Sequence, residues 1–354
     1  MRGDFTHHSI GIHVRNIGLL VMGFVLATSG LAQDSGLRFG GQIPPEVDTI
    51  YERGLAWLAS KQTDAGDWHE GGYQGAGING ICLMAFLACG DDPNFGRYAP
   101  NIRRAVRAII KSQDVKTGFL PDSMYNHGFA MLALSEAYGA VDESLLWQDA
   151  AGEEKRSIAQ TLELGIKLAV SSQKNNQFGG WRYAPSATDS DTSVTGAVLM
   201  GLLAARNAGM NVPEDMIKKA LDYVARNTGK DGSVAYSGGM GGIGESMNRS
   251  AIATLVFSVG RHKDWEQFKA TLKHISGQLE HREAGAYAEY FRYYMAQALF
   301  QGDAEAWKKW NGATVRQLQQ VQSADGSFQN GAYGTGMSLL ALALNYRFLP
   351  IYER

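Results

Sequence analysis

The 354-residue sequence predicts an all-α barrel of about six helical hairpins in two concentric rings, on three observations. The first is a repeat. Six times an amphipathic stretch ends at Gln62, Gln113, Gln173, Thr228, Gln278 or Gln322, meets a Gly-rich turn and resumes as a small apolar stretch. The spacings are 51, 60, 55, 50 and 44 residues, and a period of that size marks an array of supersecondary units. The second is the alternation of two helix classes. One class segregates charge from apolar residues at helical spacing, as in Arg104–Lys111, whereas the other is apolar nearly all round and has to be covered on every side. The third is that no segment sustains a period-two alternation, while Gly clusters punctuate each hairpin.

Taken in order, the chain opens with Arg2 and Arg15, an apolar run from Ile17 to Leu26, and small residues ending at Ala32. This is the pattern of a secretory signal peptide over residues 1–32, cut after Ala32, and it predicts an exported, periplasmic or secreted protein. The competing reading, an uncleaved membrane anchor, is disfavoured because the run is short and Thr28 and Ser29 interrupt it. Residues 33–45 carry Gly, Ser and Pro44-Pro45 and read as a linker, and residues 46–354 form one helical domain. Its apolar inner helices are expected around 78–88, 128–134, 194–204, 251–259, 287–294 and 337–344. The charged stretch 142–155 reads as an insertion at one end of the barrel.

A formal charge of −2 gives no basic excess and excludes a nucleic-acid partner. Cys82 and Cys89 lie seven residues apart on one apolar helix. Helical rise separates them by roughly 10 Å, beyond the ~7 Å Cα reach of a disulfide, so both read as small buried hydrophobes.

Arg53-Gly54, Trp57-Leu58, Gln62 and Gly66-Asp67-Trp68 fill every position of the repeat that squalene cyclases carry, the QW motif. Lys219-Ala220, Tyr223-Val224 and Gly232 match with Thr228 and Val234 as substitutes. Gln173 precedes Gly179-Gly180-Trp181 after a two-residue insertion, and Gln322 precedes Gly326-Ser327-Phe328. Gln113 with Gly118-Phe119 and Gln278 with Gly285-Ala286-Tyr287 are weaker copies. Over residues 46–354 the chain thus resembles the terpenoid cyclase and protein prenyltransferase superfamily. The resemblance implies an (α/α)6 toroid, in which the Gln amide ties helix ends together and the Trp packs beside it. A side-chain amide suits that task because helix ends leave backbone groups unpaired.

The same resemblance supplies candidate chemistry. Squalene-hopene cyclases place Asp-x-Asp-Asp-Thr after a Gly-Gly-Trp, and its middle Asp protonates the polyene. Here Gly180-Trp181-Arg182 is followed by Asp189-Ser190-Asp191-Thr192. Asp191 would be the acid and Asp189 its helper, with Thr192 standing where the family has a third Asp. Asp, Ser and Thr are equally the favoured residues at a helix start, so capping alone also explains them. Tyr287, Tyr290, Phe291 and Tyr294 share one helix face. With Tyr125 and Trp181 they read either as a cavity wall able to steady a carbocation or as ordinary aromatic core. His127 reads as a ligand-facing or a hydrogen-bonded structural residue, and Glu245 with Arg249 as an i,i+4 pair.

Other motifs carry no such reading. Gly239–Gly244 fits a dinucleotide fingerprint, with Asp264 twenty residues on, but it joins two helices and lacks the preceding strand. Prenyltransferases hold zinc through Asp-x-Cys, and neither cysteine has Asp two places before it. The Cys-Glu-Gln of thioester proteins is absent too. No metal or cofactor is expected. Three functions remain. The first is a class II terpene-cyclase-like isomerase using Asp191 on an apolar, isoprenoid-like ligand. The second is a non-catalytic toroid for a lipid, glycan or protein partner, with a membrane surface as a further site of association. The third is a glycan-cleaving barrel, which needs paired carboxylates, Asp191 with Glu245 or Glu289.

Overall fold

The computed structural model describes residues 43–148, 155–237, 246–283, 285–346 and 348–352. The expected signal peptide, most of the linker, Glu245 and the glycines of 239–244 lie outside them. The described residues are helical, with two isolated β-bridges and no strand. The helices are α1 (Pro45–Lys61), α2 (Ala76–Leu87), α3 (Ala99–Ser112), α4 (Met124–Ala137), α5 (Glu143–Leu146), α6 (Ile158–Lys174), α7 (Thr192–Asn207), α8 (Glu214–Arg226), α9 (Met247–Val259), α10 (Glu266–Ser276), α11 (Ala288–Gly302), α12 (Ala304–Val321) and α13 (Gly331–Ala343). Among the described residues no helix is long and apolar enough to cross a membrane.

Burial sorts these helices as their patterns require. Every residue of α2 and α9 is buried except Arg249 in α9, whereas α3 buries Ala99 and Asn101 in its first turn and then one face, Ile102, Ala105, Val106, Ile109 and Ile110. The inner ring is α2, α4, α7, α9, α11 and α13, each packed on the next, and α13 returns to α2. The outer ring is α1, α3, α6, α8, α10 and α12. Strict alternation makes all six inner helices parallel, so their N-termini converge at one end, here the mouth. The 142–155 stretch begins at the opposite end with the one-turn α5.

Polar ties hold the rings at the mouth end. Gln62 donates through Nε2 to Gly66 O of its own turn and Asn101 O of the next outer helix. Gln113 does the same to Gly118 and Thr161, and Gln173 to Gly179 and Met216. Gln322 donates to Gly326 and, at 2.9 Å, to Ile50 O of α1, which closes the last hairpin on the first. Arg53 Nη2 adds bonds to Ser323 O and Ala324 O at the same seam. In each full copy the turn glycine has positive φ and lies against the neighbouring helix backbone. At Gly66, φ is 96° and an added Cβ would stand 2.2 Å from Arg104 O.

The fourth and fifth hairpins depart from the expected tie. Thr228 is too short to reach the next helix and its hydroxyl donates to Val224 O of its own helix. Its turn is closed instead by the Thr228–Val234 bridge, with Gly232 pressed on Ala270 O. Among the described residues Gln278 is exposed and reaches the His274 ring alone, and Gly285 has no atom where a Cβ would stand. At the far end, Ile351 N–H donates to buried Glu136, so the C-terminal turn covers that end of α4.

Candidate functional site

The mouth is organised by a second tie, from each turn to the inner helix that follows it. Trp68 N–H donates to Asn79 Oδ1, Leu120 N–H to His127 Nδ1, Trp181 N–H to Thr195 Oγ1 and Phe328 N–H to Thr335 Oγ1. His127 is therefore the counterpart of Asn79, Thr195 and Thr335. Its other nitrogen meets Gly165 O at 3.2 Å, and burial lowers its pKa to about 4, leaving a neutral ring with both nitrogens engaged. Trp181 is 1% exposed, and its indole N–H donates to Ala169 O, as Trp68 does to Leu58 O. Both candidates occupy repeat positions at the wall, not the axis. Leu120, not Phe119, takes the Trp position of the second copy.

Two residues before the ties stand Gly77, Tyr125, Ser193 and Tyr333, and the first turns of α9 and α11 add Asn248 and Tyr290. This is the axial layer. The Tyr290 hydroxyl lies beside Ser193 and Tyr125 without completing a hydrogen bond to either. Helices α4 and α11 are diametrically opposite, yet the rings of Tyr125 and Tyr290 have centroids 5.9 Å apart. One turn deeper, Phe129 and Tyr293 approach to 5.8 Å, and Tyr294 packs on Tyr290 and Tyr293 at 4.8 Å. The aromatic residues thus meet across the axis and form a floor under the mouth. Tyr287 is 65% exposed at the rim, off the face its sequence spacing gave it.

Asp191 stands above this floor. It is the N-cap of α7, extended at φ −127° and ψ 158°, and its Oδ1 accepts from Val194 N–H at 2.8 Å. Its backbone is pinned by Asp191 N–H to Trp181 O and by the Asp191–Ser237 bridge. The carboxyl is fully buried, and Oδ2 has no hydrogen-bond partner. Burial raises its pKa to about 6, against the Val194 N–H bond and the charge of Arg182, which lower it. Capping and an acid role therefore occupy different oxygens of one group.

Asp189 lies outside, half exposed, in a 3.0 Å ion pair with Arg182. The guanidinium groups of Arg182 and Arg249 approach the Tyr236 ring at 5.6 and 6.0 Å. Arg249 also donates from Nε to Val234 O. Tyr183 is 50% exposed, and burial of its hydroxyl beside Tyr236 and Asp191 raises its pKa. Glu289 is buried and turned to Asn330 Nδ2 at 3.2 Å and to Arg292. Tyr183, Ser193, Tyr236, Asn248 and Tyr333 escaped the sequence reading. Their signal is positional, a fixed offset from the tie residue of each inner helix. Among the described residues no cluster of three or more His, Cys, Asp or Glu is placed to hold a metal ion.

Four polar atoms of the mouth lack hydrogen-bond partners while buried: Asp191 Oδ2, Tyr125 OH, Tyr290 OH and Asn248 Oδ1. Such an atom costs on the order of 1–3 kcal/mol when it stays dry. The four share one layer above the floor of rings, and nine further such atoms lie elsewhere among the described residues, Gln322 Oε1 at the rim included.

No protein-family model matches the chain, and no curated protein matches its sequence. Solved structures do match in fold. An inactive variant of an α-1,6-mannanase of glycoside hydrolase family 76 from Salegentibacter sp. HEL1_6, in complex with α-1,6-mannotriose, superposes with a TM-score of 0.59 at 9% identity, over 85% of this chain and 99% of that one. The type II terpene cyclase MstE from Scytonema, in complex with geranylgeranyl dihydroxybenzoate, gives 0.59 at 13% identity, over 86% and 98%. A family 76 glycoside hydrolase from a bovine Bacteroides thetaiotaomicron strain gives 0.57 at 9%, over 84% and 76%. At these identities the likeness is one of architecture, and the chain has the α/α toroid fold that type II terpene cyclases and family 76 mannanases share.

Proposed function

We propose that this chain is an exported toroid that takes a small ligand at its mouth, over the Tyr125–Tyr290 floor, with Asp191 as the group that gives or receives a proton. The observation that carries the reading is the Asp191 carboxyl, buried, held by its Oδ1 and unpartnered at Oδ2. A pKa near 6 leaves roughly a tenth of it protonated at pH 7. Desolvation favours the protonated form of the carboxyl, the form that proton transfer to an alkene requires. Asp189 acts as the helper from outside: its charge raises the proton affinity of Asp191, and its ion pair fixes Arg182, which lowers it.

For an isoprenoid-like ligand, the faces of Tyr125, Tyr290 and Tyr294 supply the electron-rich surface that steadies a carbocation. The rings of Tyr125 and Tyr290 meet across the axis, which favours a short chain over a long polyene. The fold likeness to a cyclase crystallised with an isoprenoid substrate supports this reading. A second reading, a glycan ligand, is supported by the buried unpartnered hydroxyls and by the fold likeness to mannanases. The test is turnover and binding with a panel of linear polyprenyl alcohols, squalene and α-1,6-linked mannosides. Asp191→Asn should lower any turnover by about 10²–10⁴-fold. If the unsubstituted protein binds members of the panel and turns none over, the acid role falls and a binding toroid remains.

A further inference from the structure

The third copy of the repeat is built differently from the first and the last, and the difference leads to Asp191. Gln62 and Gln322 reach a turn glycine four residues on, whereas Gln173 reaches Gly179 six residues on. The added length carries Asn176, which is buried and uses both ends of its amide. Its Nδ2 donates to Asp189 O, and its Oδ1 accepts from Ser190 Oγ at 3.0 Å and from Phe178 N–H at 2.9 Å. From α8, Tyr223 OH donates to Ser190 O at 2.9 Å. Gly180 leaves room for Ser190, since a Cβ on it would stand 3.0 Å from Ser190 Oγ. On the other side of Asp191, Thr192 donates from its N–H to Tyr236 O at 2.8 Å and from Oγ1 to Ala235 O at 2.7 Å.

A helix N-cap needs none of these bonds. Asp191 Oδ1 meets Val194 N–H within α7 itself, whatever happens upstream. The bonds from outside α7 do something else: they fix the backbone on both sides of the carboxyl, which is 0% exposed. We infer that Asn176 is a positioning residue for Asp191: its amide seats residues 189 and 190, and that seat keeps the Asp191 carboxyl out of water. The inference rests on the reading of Asp191 as the group that gives or receives a proton, and names what holds it in that state. Burial is the largest influence on this carboxyl. Loosening the seat therefore lets water in and lowers the proton affinity toward that of an ordinary aspartate.

The experiment is the titration of Asp191 in the full chain, followed by NMR of protein labelled at the aspartate carboxyl carbons. The Asp191 signal is the one that Asp191→Asn removes. Its midpoint, near 6 in the parent, should fall by about one pH unit or more in Asn176→Ala. Ser190→Ala deletes a single hydroxyl, serves where the alanine at 176 does not fold, and should lower the midpoint by less. Gln62→Ala removes amide ties of the same kind from the first seam and should leave the midpoint in place. A midpoint unmoved in the folded Asn176 and Ser190 variants overturns the inference and leaves the acid reading of Asp191 standing. An equal fall in Gln62→Ala also overturns it, since any loosening of the ring would then suffice. A parent midpoint in the ordinary aspartate range overturns both. If no ligand of the panel is turned over while the midpoint falls as expected, the acid role goes and the seating by Asn176 is supported.

Discussion

The rim and the axis of this toroid treat polar groups in opposite ways. At the rim, Gln62 uses its amide fully: Nε2 donates to Gly66 and Asn101, and Oε1 accepts from Asn101 Nδ2 and Arg104 Nη2. At the axis, Asp191, Tyr125, Tyr290 and Asn248 each bury an atom with no partner. Both sets come from the same six turns, so packing opportunity does not explain the difference. The contrast is one of degree, since Gln322 at the rim leaves its Oε1 buried without a partner while its Nε2 makes both ties. The fifth hairpin differs again, because its Gln278 is exposed and, among the described residues, meets the His274 ring of its own helix.

The largest effect should come from the turn glycines. Gly66→Ala places a Cβ at positive φ and against Arg104 O, whereas Gly285→Ala keeps the strained φ of 62° but meets no atom. The first substitution should cost more than about 3 kcal/mol and the second about 1 kcal/mol. Urea midpoints compare them, and equal costs would mean that the close approach at the rim carries no stability.

Next in size are the glutamines. Gln62→Ala removes four hydrogen bonds and leaves Asn101 O short of its donor, for about 2–3 kcal/mol. Gln278→Ala at an exposed site should stay within about 0.5 kcal/mol. A loss at Gln278 equal to that at Gln62 would break the division between tied and untied hairpins.

Two buried titratable groups provide a pH test with opposite signs. Asp191 has its folded pKa raised to about 6, so between roughly pH 4 and 6 the native state holds a proton the unfolded state has lost. Its contribution to stability is present at low pH and fades as pH rises through 6. His127 has its folded pKa lowered to about 4 from 6.5, so the unfolded state binds the extra proton there. Its contribution is present above pH 6.5 and is lost as pH falls toward 4. Each amounts to about 3 kcal/mol at full extent. His127→Asn, which copies Asn79, should become relatively more stable than the parent as pH falls from 6.5 to 4. Asp191→Asn, which keeps the cap, should become relatively less stable over the same range. Thermal melting of both variants across pH 4–7 checks the signs.

The repeat explains why the fold was readable and the site only half so. Gln and Gly at a fixed separation announce a turn, and the two helix classes announce which ring each helix joins, so the six hairpins follow. A missing tie is harder to see: Thr228 is chemically able to bond, and only its length decides that it bonds to its own helix. The one-residue offset that puts Leu120 in the Trp position depends on where an insertion falls, which composition does not encode. His127 and Trp181 drew attention as chemically versatile residues, yet their partners are backbone groups of the repeat. Tyr290 and Tyr294 were legible because aromatic spacing on one helix shows a face, and Tyr125 because it opens an inner helix. Asn248 and Ser193 were not, since the axial layer exists only once six separate helices share a register.

The smallest effect discriminates best between rim-type and axis-type polar groups. Tyr51 and Tyr290 are both buried phenols on helices of the same fold. Tyr51 OH donates to Ala85 O at 2.8 Å, whereas Tyr290 OH has no partner. Removing a satisfied hydroxyl strands its acceptor, so Tyr51→Phe should cost about 1 kcal/mol. Removing an unpartnered one relieves a desolvated dipole, so Tyr290→Phe should be neutral or stabilising by a few tenths of a kcal/mol without ligand. The same Tyr290→Phe protein should then gain less from ligand than the parent does, because stabilisation by mass action follows affinity. A substitution that leaves the empty protein unharmed and the liganded protein weaker is the signature of a residue kept for binding. If Tyr290→Phe instead costs as much as Tyr51→Phe in the empty protein, the axial layer is satisfied in solution and the contrast with the rim disappears.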